Sequence, residues 1–137
     1  MDTIIDEIIK QYDEYNVKLL TASSLDSDVP DIADLSTRQV VINKSSKYGN
    51  QLPFRMAHEL MHIVNSEPYS SRMVAYHVYD VGNPEEHIAN IEAIKLLLSL
   101  FGESHHEFNW LHFMNDCGIP SYLEDDVKKY VQLTDRH

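Results

Sequence analysis

The sequence lacks the features of secreted and membrane-spanning proteins. It contains 1 cysteine in 137 residues, which excludes an internal disulfide and is typical of the reducing cytoplasm. Its longest apolar run, residues 94–101, is too short to cross a bilayer and contains Lys95. The first ten residues, MDTIIDEIIK, are acidic rather than basic, so they do not resemble a signal peptide. We therefore expect a cytoplasmic protein that has no membrane partner.

Basic residues are scarce as well. The chain has 11 Lys and Arg against 22 Asp and Glu, a net charge of −11. Such a surface repels nucleic-acid phosphates, so we expect no direct binding to DNA or RNA. The same charge would attract a basic protein partner, although it would equally serve to keep the protein soluble. No feature of the sequence indicates an oligomeric state.

The apolar content, 43%, suits one soluble globular domain over residues 1–137. Hydrophobic periodicity and Gly or Pro breaks predict helices over residues 3–15, from 50 or 51 to about 65, over 84–101 and 107–116, and from 120 or 121 to 133. Strands are predicted over residues 17–20 and 38–43, an extended segment over 73–81, and a polar loop over 21–37. The predicted fold class is therefore α+β, with a small early sheet packed on several helices. The lone Cys117 is predicted to be a small buried residue near a helix end.

The stretch RMAHELMHIV contains the most specific pattern in the chain. His58 and His62 are four residues apart on a predicted helix, so their side chains project from one face. Two imidazoles so placed can both reach a zinc ion at about 2.1 Å. Glu59 lies beside them, where it can accept a proton from an attacking water. The flanking residues are apolar, and burying this polarity without a partner is costly, so a metal is favoured over satisfied core histidines.

A catalytic zinc ion needs a third protein ligand and an open position for water. The downstream candidates are His77, Glu85, Glu86, His87 and Glu92. Glu86 is favoured because Asn90 follows it by one helical turn and could orient a ligating histidine through a hydrogen bond. The alternative for Glu86 is a carboxylate that only complements the dipole at the start of its helix.

Two segments, RMAHELMHIV and EEHIANIEAIKLLL, together resemble the ImmA/IrrE family of metallo-endopeptidases in its short phage and mobile-element form. The matching residues are Arg55, Ala57, His58, Glu59, His62, Glu86, Ala89, Asn90, Leu97 and Leu98. The resemblance implies zinc at His58, His62 and Glu86, with Glu59 as the base. It also implies a zincin-like fold with the HExxH motif on a central helix, and cleavage of a helix-turn-helix repressor. Met61 and Ile88 depart from the family pattern without removing a ligand or the base.

The segment between the two motifs could complete the site. Tyr76, His77 and Tyr79 lie there, and His77 is the one we predict to assist catalysis if any of them does, although a structural role suits each of them. The strand Val40 to Asn43 precedes the motif helix, and we hypothesise that its edge pairs with an extended substrate.

Three functions are compatible with these observations. The first is a zinc endopeptidase that cuts a repressor, and only this one needs Glu59. The second is a non-proteolytic antirepressor that binds the repressor and uses the metal as a scaffold. The third is a purely structural metal domain, although structural zinc sites usually have four ligands that include cysteines. Manganese suits the same ligands as zinc.

Overall fold

The computed structural model describes residues 3–66, 73–74, 84–101 and 109–134. Within these ranges the chain forms five α-helices and four short strands, which confirms the predicted α+β class. In chain order the elements are α1 (Ile4–Glu14), β1 (Lys18–Ala22), β2 (Ile32–Asp34), β3 (Gln39–Asn43), α2 (Leu52–Val64), β4 (Met73–Val74), α3 (Pro84–Phe101), α4 (Trp110–Cys117) and α5 (Glu124–Thr134).

Helix α1 begins with a capping box and packs by its apolar face. The Thr3 hydroxyl accepts from the backbone N–H of Asp6, and the Asp6 carboxylate accepts from that of Thr3. Ile8 and Tyr12, four residues apart, are both buried. The Tyr12 hydroxyl donates to the backbone carbonyl of Met56 at 2.6 Å, which joins α1 to α2.

The four strands form one sheet in the order β1-β3-β2-β4. Strand β1 is parallel to β3, whereas β2 is antiparallel to both of its neighbours. Val40 pairs with Leu19 on one side and with Ala33 on the other. The hypothesis that β3 offers its edge to a substrate is therefore wrong, because both of its edges are already paired.

Strand β2 lies within residues 21–37, for which the sequence predicts a polar loop. The last two residues of β1 fall within the same range. Strand β2 has three residues, of which only the middle one, Ala33, is buried. Such a short pattern has no recognisable alternation, and the strand forms because β3 and β4 flank it.

Helix α2 is the central element of the fold. A 3-10 turn, Gly49–Gln51, precedes it, and Pro53 occupies its first turn. Every residue from Phe54 to Ile63 is buried, because α2 packs against α1, α3 and the sheet. The HExxH motif therefore lies on a helix that is covered on all sides.

Helices α3 and α4 pack against α2, and α5 packs against α3 and α4. Helix α3 has the predicted bounds, while α4 begins at Trp110, three residues later than predicted, because the Asn109 side chain caps it. Gly118 ends α4 in the left-handed conformation at φ 68°. The inner face of the C-terminal segment is formed by three buried residues, Leu123, Val127 and Val131. Among the described helices, none is long and apolar enough to cross a membrane.

A candidate metal centre

The two motif histidines meet on one face of α2. Their Nε2 atoms are 3.2 Å apart, and the ring planes are nearly perpendicular, with centroids 4.8 Å apart. His58 is 1% exposed and His62 is 7% exposed. Because the two histidines are four residues apart on one helix, their imidazole nitrogens lie together at one buried point, as the sequence predicted.

Glu86 reaches the same point from the first turn of α3. Its Oε2 lies 2.7 Å from Nε2 of His58, and its Oε1 lies 2.6 Å from Nε2 of His62. Its side chain is 2% exposed, so it is not merely a surface charge at a helix start. Of the four candidates for a third ligand that the structure describes, Glu86 is the one that it brings to both histidines.

The other candidates lie elsewhere. His87 is exposed, and Glu92 forms a surface ion pair with Lys95 at 3.5 Å. Glu85 is half-buried and acts on the centre through its charge, as one of the influences that raise the pKa of His62. His77, like Tyr76 and Tyr79, lies outside the described residues.

The protonation states follow from burial and from these contacts. Burial lowers the pKa of His62 and outweighs the opposing hydrogen bond to Glu86. Burial alone would raise the pKa of Glu86, but the hydrogen bonds from the two imidazoles prevail and lower it to about 2. Near neutral pH the centre therefore presents an ionised carboxylate, which is the form that binds metals.

Glu59 is fully buried beside this cluster. Its Oε1 lies 3.8 Å from Nε2 of His58, and its Oε2 has no hydrogen-bond partner among the described residues. Burial raises the pKa of Glu59 well above its ordinary value, and repulsion from Asp31 and Glu86 adds to the effect. A carboxyl group with a raised pKa is suited to accepting a proton and returning it near neutral pH.

These residues fit a metal ion. Ligand atoms of His58, Glu59 and His62 lie within 4.8 Å of one another, and all three residues are buried. Two nitrogens bound to a tetrahedral ion at 2.0–2.1 Å would be about 3.3 Å apart, close to the 3.2 Å between the imidazole nitrogens. His58 Nδ1 is buried without a hydrogen-bond partner among the described residues. The group can therefore hold a metal through nitrogen and oxygen atoms.

Asn90 is buried one turn after Glu86, but it forms no hydrogen bond with either motif histidine. Its Nδ2 donates to the hydroxyl of Tyr122 at 3.2 Å. Its Oδ1 is buried and has no partner in the described part of the chain. The predicted hydrogen bond from Asn90 to a ligating histidine is therefore not formed. Asn90 is hydrogen-bonded to Tyr122 instead.

A buried ion pair fixes the first turns of the motif helix. Arg55 Nε and Nη2 donate to the two carboxylate oxygens of Asp31 at 2.8 and 2.7 Å. Arg55 Nη2 also donates to the carbonyl of Asn43 at 2.9 Å, and Nη1 donates to that of Tyr48 at 3.3 Å. Asp31 in turn accepts from the N–H of Asn43 at 2.8 Å. This network ties the loop before β2 and the end of β3 to α2.

The contacts of Asp31 and Tyr122 were not predicted from the sequence. An arginine in an otherwise apolar helix signals a buried anionic partner, but many Asp and Glu residues are equally eligible in this acidic chain. For Tyr122 no local signal exists, since Asn90 is 32 residues away.

Cys117 takes no part in the centre. It is a buried residue at the end of α4, as predicted. Burial, with help from the charge of Asp116, raises the pKa of its thiol to about 12, which disfavours the reactive thiolate.

No family model, no curated protein and no solved structure matches this chain. The two motifs and the geometry in which they meet are therefore the features of the chain that bear on its function.

Proposed function

We propose that the protein is a zinc-dependent endopeptidase with a minimal zincin-like fold. Its substrate would be a helix-turn-helix repressor of the phage or mobile-element type, and cleavage would relieve repression. The observation that carries this proposal is the meeting of Glu86 with both His58 and His62 at a buried point, beside the buried carboxyl group of Glu59.

The number of ligands supports a catalytic site. His58, His62 and Glu86 would hold the ion, and three protein ligands leave a position for water, whereas structural zinc sites usually have four. When bound, zinc lowers the pKa of a water molecule towards neutral and polarises a carbonyl group. Manganese is compatible with the same nitrogen and oxygen ligands, and metal analysis of the purified protein distinguishes the two.

The residues of the chain would supply the proton transfers. Glu59 accepts a proton from the water that attacks the peptide carbonyl carbon. It then gives that proton to the amide nitrogen as the C–N bond breaks, so that the products are a free carboxyl group and a free amine. Its raised pKa suits both transfers. The buried setting of Glu59 strengthens its electrostatic interactions and limits access of other water molecules.

The choice of partner is supported by charge and by the motif resemblance. Helix-turn-helix domains are basic where they contact DNA phosphates. A chain with a net charge of −11 would accelerate encounter with such a domain at low ionic strength.

Coexpression with the helix-turn-helix repressor encoded nearest this gene tests the proposal. Wild type is compared with Glu59→Gln, and repressor fragments are read on a gel beside the activity of the repressed promoter. The matched control is Glu124→Gln, which makes the same change at a surface carboxylate paired with Lys128 at 3.3 Å. We expect fragments and promoter activity with wild type and with the control, and neither with Glu59→Gln.

The acidic surface also suits the second candidate, an antirepressor that binds without cutting. Promoter activity that persists in the Glu59→Gln variant, with no repressor fragments in any sample, would refute the protease and establish that alternative.

A further inference from the structure

We propose that a groove between α1, α3 and α4 is a docking site for a basic segment of the repressor, separate from the metal centre. This inference rests on the proposed function and adds a second contact surface to it. The groove binds the substrate protein outside the peptide that is cut.

The groove lies where the start of α1 meets the ends of α3 and α4. Its volume is about 450 Å³, which is within the range of pockets that bind ligands. It is lined by six residues of the described part of the chain, Thr3, Ile4, Glu7, Leu100, Phe101 and Asp116.

The floor of the groove is apolar. Ile4, Leu100 and Phe101 are partly buried and pack against the hydrophobic core. The Phe101 ring also contacts the ring of Phe113, with centroids 5.4 Å apart, and Phe113 is fully buried. Such a floor suits the aliphatic part of a lysine or arginine side chain, which packs on apolar surface while its charged end stays near water.

Two carboxylates supply the charge that a basic side chain requires. Glu7 comes from α1 and Asp116 from α4, and none of the lining residues is basic. Glu7 forms a surface ion pair with Lys10 at 3.4 Å, which is weak because solvent reaches both side chains. Asp116 is exposed and has no hydrogen bond or ion pair within the described ranges.

The position of Asp116 favours a cationic partner. It is the last residue but one of α4, and the last turn of this helix contains no basic residue. The helix dipole makes a negative charge unfavourable at this end, so the stability of α4 does not account for Asp116. A lysine or arginine of the repressor would offset this repulsion when it enters the groove.

The groove and the metal centre lie at opposite ends of α3. Glu86 is in the first turn of this helix and Leu100 is near its end, about 21 Å apart at about 1.5 Å per residue. A change of charge in the groove therefore leaves the metal ligands in place, and its effect on binding can be measured separately.

Binding of the purified repressor to the full-length chain tests the inference. Every chain carries Glu59→Gln to prevent cleavage, and the Kd is measured at physiological salt, which screens exposed charges more than about 8 Å apart. The groove variant combines Glu7→Gln with Asp116→Asn. The matched control combines Glu92→Gln with Asp125→Asn. It also removes two negative charges, and Glu92 is paired with a lysine three residues later at 3.5 Å, much as Glu7 is.

We expect the groove variant to weaken repressor binding about fivefold to thirtyfold, the loss expected for two partly exposed charge pairs. The control should change the Kd less than twofold. In chains that keep Glu59, the groove variant should raise KM for repressor cleavage and leave kcat unchanged.

Equal weakening by the two variants overturns the docking site, because the repressor would then respond to net charge alone. An unchanged Kd in the groove variant overturns it as well, and both results leave the proposed cleavage reaction intact. If the Glu59→Gln chain does not bind the repressor at all, the choice of partner in the proposed function fails, and the docking site fails with it.

Discussion

Replacing Asp31 by alanine should destabilise the protein although Asp31 contacts no metal ligand. The change leaves the Arg55 guanidinium, 3% exposed, without its counter-ion. It removes two charge-assisted hydrogen bonds from Arg55 and a third from the N–H of Asn43. The two carbonyl contacts of Arg55 persist, but they do not neutralise its charge. Removal of one partner from a buried ion pair costs about 3–5 kcal/mol.

A surface ion pair in the same region provides the matched control. Asp28 and Lys47 are 2.7 Å apart, the same separation as Asp31 and Arg55, but both side chains are largely exposed. Water solvates each ion after its partner is removed, so Asp28→Ala should leave the unfolding midpoint almost unchanged. The comparison isolates the effect of burial from that of distance.

Urea unfolding with chelator present measures both variants without a contribution from bound metal. We expect Asp31→Ala to lower the midpoint at an unchanged slope with urea concentration. The double variant Asp31→Ala with Arg55→Met should be more stable than Asp31→Ala alone, because it removes the unpaired charge. The reasoning is refuted if Asp31→Ala shifts the midpoint no more than Asp28→Ala does.

Two further predictions concern Gly118 and Glu59. Gly118→Ala should cost at least about 2 kcal/mol, because φ is 68° and the new Cβ would lie 2.4 Å from the carbonyl oxygen of Asn50. Gly49→Ala, which meets nothing within 4 Å, should be neutral, and a similar loss in both variants in urea unfolding would contradict this account. Folding raises the pKa of Glu59, so wild type should lose stability as pH rises from the unfolded pKa, about 4.3, through the folded pKa. In chelator, Glu59→Gln should lack this loss and be the more stable protein at neutral pH; a stability difference that does not vary with pH would argue against it.

The sequence predicts well those elements that are determined by residues near each other in the chain, such as a helix with a proline at its start and apolar residues at helical spacing. Helix α3 has its predicted bounds because Pro84 suits a first helical turn and apolar residues recur along it. The meeting of His58 and His62 was predictable for the same reason, since the geometry of one helical turn determines it. Strand β2 was missed because three residues with one buried side chain carry no periodicity.

The partners of the site residues depend on tertiary contacts that no local pattern contains. Arg55 meets Asp31 across 24 positions, and Asn90 meets Tyr122 across 32. The helical repeat placed Asn90 one turn from Glu86, but it could not specify that a turn after α4 would bring a tyrosine hydroxyl to the amide.

The distribution of compensated and uncompensated charge on α2 supports a chemical role for the motif. Arg55 is buried, but it has a counter-ion and two carbonyl acceptors, so the fold itself accounts for it. Glu59 is as deeply buried, yet one of its oxygens has no hydrogen-bond partner among the described residues, and burial with repulsion from Asp31 and Glu86 outweighs the attraction of Arg55 and raises its pKa. An apolar residue there would pack in the same space without this cost. Buried carboxyl groups with raised pKa values that lie beside potential metal ligands are typical of proton-transfer sites, and a purely structural metal site would not require Glu59.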